Sequence, residues 1–190
     1  MKRSKKKKLW KSLVLLAALL IAAALALRIG FNRFEKSVYP LRYSDYVEKY
    51  AGEYGLEPAL VYAVIRSESN FDAEAESRSG ALGLMQLMPD TFNWLQESQN
   101  DHYTEQDLLQ PEVNIRYGCR YLSMMVTKYG VLRTALCAYN AGSGTVDGWL
   151  RNSEISSDGK TLTRIPYSET RNYADAVMKS YEKYKKLYQI

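Results

Sequence analysis

VIRSESNFDAEAESRSGALGLMQLMPDT, residues 64–91, sets a single glutamate, Glu68, at the end of an apolar run and follows it with a loop. Upstream, Ala59, Leu60, Val61, Ala63, Val64 and Ile65 follow Pro58, whose fixed φ and missing N–H suit the first turn of a helix. That helix carries Glu68 out of the core to the edge of a cleft. A carboxyl held against apolar surface has a raised pKa, because desolvation disfavours the charged form, and an acid still protonated near neutral pH can serve as a general acid. Taken alone, a glutamate near a helix C-terminus is more often a solvated surface charge.

The surrounding residues form four ordered blocks. The first comprises Glu68-Ser69, Ser77, Gly80-Ala81, Gly83-Leu84-Met85-Gln86, Met88-Pro89 and Thr91. Pro111, Val113, Asn114, Ile115, Gly118, Tyr121 and Leu122 make the second, Ala138-Tyr139-Asn140-Ala141-Gly142 the third, and Glu169-Thr170-Arg171-Asn172-Tyr173 the fourth. Together they cover about residues 44–188, and they resemble the soluble lytic transglycosylase family, which cleaves the glycan strands of bacterial peptidoglycan. The resemblance implies an all-α, lysozyme-like helical domain.

It also implies roles. Glu68 would be the catalytic acid and base; Ser77 would lie near the muramic acid and bond its acetamido group, its plainer role being a turn hydroxyl. Gln86 and Met88 would form the cleft floor, one with an amide and the other with a polarizable apolar face. Tyr139 would bond Glu68 or the N-acetyl carbonyl, unless it is a buried tyrosine satisfied locally, and Asn140 would hold the cleft wall. Glu169 would support the cleft structurally, and if buried would need donors such as Arg171 or backbone amides.

The formal net charge of +5 is concentrated at one end: Lys2, Arg3, Lys5, Lys6, Lys7, Lys8 and Lys11 supply seven positive charges, and the remainder stands at −2. The footprint of a nucleic-acid binder is therefore absent from the domain. No residue from Ser12 to Leu27 is charged, and Leu9, Trp10, Ile29 and Phe31 extend the apolar stretch. This reads as a transmembrane signal-anchor with its basic end in the cytoplasm and everything after Arg28 outside. The rival is a signal peptide cleaved near Ala24-Leu25-Ala26, which would release the enzyme. Arg28 and Arg33 close behind that site, and an apolar run longer than a usual signal core, favour the anchor. The organisation expected is thus 1–31 basic tail and transmembrane helix, 32–43 tether, and 44–190 catalytic domain.

Within the domain, Ser44 is expected to cap a helix to about Tyr54, and further helices to run from Pro58, Pro89 and Pro111. Gly130 and Gly142 bracket another, and a last one spans about Ser168 to Tyr188. Gly142-Ser143-Gly144-Thr145 reads as a turn. Asp158-Gly159, within residues 152–163, reads as a turn in a small ribbon or loop. Cys119 and Cys137 read as buried thiols or a pair. With His102 the sole histidine, neither a zinc site nor a Ser/His/Asp triad is supported, and no cofactor is expected.

Glycoside cleavage usually takes two carboxylates. Asp72, Glu74 and Glu76 follow Glu68 in a polar loop that reads as solvated, so the second carboxylate is not evident. The resemblance implies a reaction needing one: lytic transglycosylation, leaving 1,6-anhydromuramic acid ends. A hydrolytic muramidase on the same fold, using Asp72 or another carboxylate, is the first alternative. An inactive wall-binding accessory protein is the second. Expected partners are peptidoglycan strands, the membrane, and cell-wall or secretion-assembly proteins.

Overall fold

Prolines mark where three helices of the domain begin. The computed structural model describes residues 2–97, 99 and 101–190; the side chains of residues 2–9, 12–14, 17 and 18, which include most of the basic cluster, lie outside that description. The chain forms two compact units, residues 1–40 and 41–190.

The first unit is one helix, α1 (Lys2–Val38). Its described apolar side chains, among them Leu16, Leu20, Ile21, Leu25, Ile29 and Phe34, are exposed. The tether expected from residue 32 is helical as far as Val38, and only Pro40, which disfavours helix in the residue before it, ends the run. Among the described residues no helix is long and apolar enough to cross a membrane, so a spanning segment at Ser12–Leu27 is a reading of the sequence.

The second unit contains α2 (Ser44–Glu53), α3 (Pro58–Glu68), α4 (Pro89–Glu97), a 3₁₀ turn (Glu105–Leu109), α5 (Pro111–Tyr129), α6 (Leu132–Ala141), α7 (Ser143–Leu150) and α8 (Ser168–Tyr188). Its described residues form no β-strand, only the isolated bridges Glu76 to Leu82 and Leu82 to Leu87. Helix α3 is buried all round from Ala59 to Ile65, as befits a central helix rather than an amphipathic surface one. Burying Leu60, Val61, Val64 and Ile65 contributes about 1.5–3 kcal/mol each. It packs against α8 and α2, while α6 lies against α5 and α8. A second apolar cluster of Leu87, Phe92, Leu95, Leu108, Val113 and Tyr117 joins α4 to α5. There the Phe92 and Tyr117 rings meet edge to face at 4.7 Å.

Two local expectations need correction, and one left open between a ribbon and a loop is decided. Ser44 does not cap α2: the N-cap is Tyr43, in the left-handed region with φ 59° and without a side-chain cap, and Ser44 is already helical. The Gly142–Thr145 turn is only a break at Gly142 (φ 85°), after which α7 starts at Ser143 and buries Val146 and Trp149. Residues 152–163 form a loop rather than a ribbon, because Asp158 Oδ1 accepts the amides of Lys160 at 2.8 Å and Thr161 at 2.6 Å. Ile155 and Leu162 anchor that loop in the core. Cys119 and Cys137 are free, buried thiols; burial raises both, Cys137 to about 11.

Candidate active site

Glu68 is the last residue of α3, and the next residue fixes the path of the chain beyond it. The Ser69 hydroxyl donates to the Leu84 carbonyl at 2.8 Å, tying the helix end to the far side of the loop. Asn70 and Phe71 take left-handed conformations (φ 50° and 66°) that turn the chain back and bury the Phe71 ring. The loop is then held from within. Ser77 Oγ accepts the Ala81 amide at 2.9 Å, and the Gly83 amide donates to the Ala75 carbonyl at 2.8 Å.

Asn114 of α5, fully buried, clamps the same loop with three bonds. Its Oδ1 accepts the Met85 amide at 2.7 Å, and its Nδ2 donates to the carbonyls of Leu82 and Leu108, both at 2.8 Å. Without Asn114 the Met85 amide and the Leu108 carbonyl would be buried polar groups without partners, which is costly, whereas the Leu82 carbonyl would keep the Leu87 amide. Gly83 is required here on two counts: its φ is +74°, and a Cβ would run into the Asn114 amide and the Leu108 carbonyl. Gly118 gives the Met85 side chain the space that any larger residue would fill.

Burial pushes the Glu68 carboxyl up from 4.5 to about 7, although the residue keeps some exposed surface. The Tyr173 hydroxyl opposes that rise and so favours the anion. It does so without completing a hydrogen bond of good geometry, and is left buried and otherwise unpartnered. Tyr139, from α6, is close enough that the Glu68 charge adds to burial in raising its own hydroxyl well above 10. The structure therefore brings together one carboxyl and two tyrosines from α3, α6 and α8.

The remaining expected site residues serve the scaffold more than the carboxyl. Tyr139 does not bond Glu68; its hydroxyl donates to the Met85 carbonyl at 2.9 Å, supporting the loop. Asn140 Oδ1 accepts the Thr170 hydroxyl at 2.8 Å, linking α6 to α8. Gln86, at φ 49°, uses its amide nitrogen on the carbonyls of Ala75 (3.0 Å) and Gly83 (2.9 Å), while Met88 is 40% exposed. Ser77 has the turn role described above. Glu169 is not a buried support: it is exposed in the first turn of α8, and the buried residue of that segment is Thr170. Asp72, Glu74 and Glu76 are all exposed. Asn114 and Tyr173 carry roles that the sequence alone does not assign, since their partners lie far away along the chain.

The Transglycosylase SLT domain family matches residues 45–162, more than half of the chain. The chain belongs to this family. The SLT domain is 37% identical over 150 residues to the soluble lytic murein transglycosylase of Salmonella typhimurium, covering 77% of this chain and 23% of that one. It is 32% identical over 166 residues to the membrane-bound lytic murein transglycosylase C of Actinobacillus pleuropneumoniae, covering 75% and 46%. Among solved structures, the 70 kDa soluble lytic transglycosylase of Escherichia coli superposes with a TM-score of 0.72 at 32% identity, over 80% of this chain and 25% of that one. An inactive variant of the lytic transglycosylase Slt from Pseudomonas aeruginosa, with a glutamate changed to glutamine, gives 0.67 at 34%, over 78% and 25%. The all-helical, lysozyme-like architecture of the SLT domain is therefore shown, and the chain spans about a quarter of the length of the soluble relatives it matches.

Proposed function

We propose that this chain is a lytic transglycosylase of peptidoglycan that works with one carboxyl, Glu68. The observation that carries the reading is the desolvated Glu68 side chain, raised to about 7 at the end of α3 and faced by Tyr139 and Tyr173. A group with that affinity is populated in both forms near neutral pH and can give and take a proton in one cycle. Glu68 protonates the oxygen bridging N-acetylmuramic acid and N-acetylglucosamine. It then removes the proton from the carbon-6 hydroxyl of the same muramic acid, whose oxygen closes on carbon-1 and leaves the 1,6-anhydro end. The sugar's N-acetyl group stabilises the intermediate in place of a second carboxylate. The exposure of Asp72, Glu74 and Glu76 favours this single-acid chemistry over a muramidase that needs a positioned base.

Around Glu68, the loop clamped by Asn114 presents Met88 and the backbone that Gln86 braces, and Ser77, Tyr139 and Asn140 shape the wall rather than exchange protons. The N-terminal segment anchors the enzyme in the cell membrane, basic end inside and residues 44–190 facing the wall. This placement is supported by the clustered positive charge, the exposed apolar side chains of α1 and the membrane-bound relatives. Digestion of purified peptidoglycan by the full-length chain, read by mass spectrometry, tests the reaction. Anhydromuramic products lost in Glu68→Gln are the expected result, and reducing-end products, heavier by one water, would overturn it in favour of hydrolysis.

A further inference from the structure

Apart from Glu68, α4 and α5 form a shallow groove, half open to solvent, of about 460 Å³, lined by Trp94, Leu95, Glu97, Arg120 and Met124. That volume lies in the range of small-molecule sites, and such sites combine apolar walls with a few placed polar groups. Trp94 is 51% exposed and Met124 36%, so two large apolar side chains face solvent in this groove. The walls are braced. Arg120 Nη1 donates to the Leu95 carbonyl at 2.8 Å, stapling α4 to α5. Gln96 holds the end of α4 through the Tyr103 amide at 2.7 Å and the Tyr103 carbonyl at 3.2 Å.

We infer that this groove is a second saccharide-binding site, taking a pyranose ring of the N-acetylated amino-sugar class. The charges at its rim, one guanidinium and one carboxylate, cancel, which fits an uncharged polyhydroxylated ligand and disfavours a phosphate, a nucleic acid or an acidic lipid. A pyranose has an apolar C–H face that lies flat on an indole and a polar edge that the exposed Glu97 carboxylate can bond. Position names the source of the sugar. Helix α4 starts directly after Met88, and Trp94 lies about 9 Å further along its axis and roughly 120° round it at 3.6 residues per turn, so a polymer held at Met88 reaches Trp94 by passing around the helix. The identity of that polymer rests on the proposed function. The groove would retain a glycan strand, or its neighbour, between cleavage events without touching the reacting atoms.

The test uses the full-length Glu68→Gln chain in detergent micelles, labelled with ¹⁵N at tryptophan, and a β-1,4-linked N-acetylglucosamine oligomer as probe. With only three tryptophans, the Trp94 indole N–H is assigned by its loss in Trp94→Phe. The expected result is a shift of that resonance on adding the oligomer, with at least about tenfold weaker retention on insoluble peptidoglycan when Trp94→Ala is added. Glu97→Gln, at an exposed position, should weaken retention in the same direction. The otherwise wild-type Trp94→Ala chain should still cleave short soluble fragments at the unaltered rate. An unmoved Trp94 resonance, or unchanged retention in Trp94→Ala, would overturn the groove while anhydro products from the wild type kept the catalytic reading. A moved resonance and weakened retention, together with no anhydro product from the wild-type chain, would sink the catalytic reading and leave the groove standing.

Discussion

Glu68 and Glu169 both lie in family-like blocks and both sit at helix ends, yet the fold treats them oppositely. Glu68 closes α3, where burial strips water from the carboxyl and the negative end of the helix dipole works in the same direction. Glu169 opens α8, exposed to water at the positive end of its helix. The same side chain is thus desolvated at one helix end and open to water at the other. Position in the packing, not residue type, separates them.

The largest effect should come from exchanging each for glutamine. Glu68→Gln is nearly isosteric but cannot transfer a proton, so release of soluble muropeptides should fall by ~10²–10⁴-fold. Glu169→Gln should change the rate little and stability by no more than ~0.5 kcal/mol, as for an ordinary surface site. Equal losses in the two variants would break the comparison.

Unclamping the loop that follows Glu68 is the next test. Asn114→Ala strands the Met85 amide and the Leu108 carbonyl and leaves the Leu82 carbonyl with only the Leu87 amide, which should destabilise the fold by about 2–5 kcal/mol in thermal unfolding followed by circular dichroism. A loss below ~1 kcal/mol would mean that water replaces the clamp.

Stability against pH gives a smaller effect with a definite sign. The folded chain holds the Glu68 proton more tightly than the unfolded chain, about 7 against 4.5. Stability from this group is therefore complete below pH 4.5 and is lost as pH rises toward and through 7. Glu68→Gln lacks that loss and should be more stable than the wild type by about 1–3 kcal/mol at pH 8, with no gain from this source at pH 4. The opposite slope would show that the fold prefers the anion.

The smallest effect belongs to Tyr173→Phe. The hydroxyl favours the Glu68 anion, so its removal should raise the acid further and move the alkaline limb of the pH–rate profile upward, by up to about one pH unit. A limb that moves down would reverse the role given to Tyr173.

What is legible in the sequence is whatever depends on local chemistry. Pro58, Pro89 and Pro111 each begin a helix, and Gly130, at φ 67°, ends α5, because ring closure and a missing Cβ act on their own backbone. The place of Glu68 at the end of a buried helix is legible because the apolar run before it is contiguous. Signals fail where a distant partner decides. Ser44 looks like a cap, but the left-handed Tyr43 takes the N-cap position. Two glycines suggest a turn where burial of Val146 and Trp149 sustains α7. The last block points to Glu169, whereas packing buries Thr170 and turns Tyr173 toward Glu68. Asn114 stands in a recognisable block, but its three bonds reach groups 6 to 32 residues away, which no local pattern records.

The most direct test of the single-carboxyl mechanism is the titration of Glu68 itself, by ¹³C NMR of glutamate carboxyls in the full-length chain with Glu68→Gln assigning the resonance. A midpoint near 7 is predicted, as required of an acid that gives and then retrieves a proton at neutral pH. A midpoint near 4.5 would show an ordinary solvated carboxylate and contradict the proposed chemistry at this site.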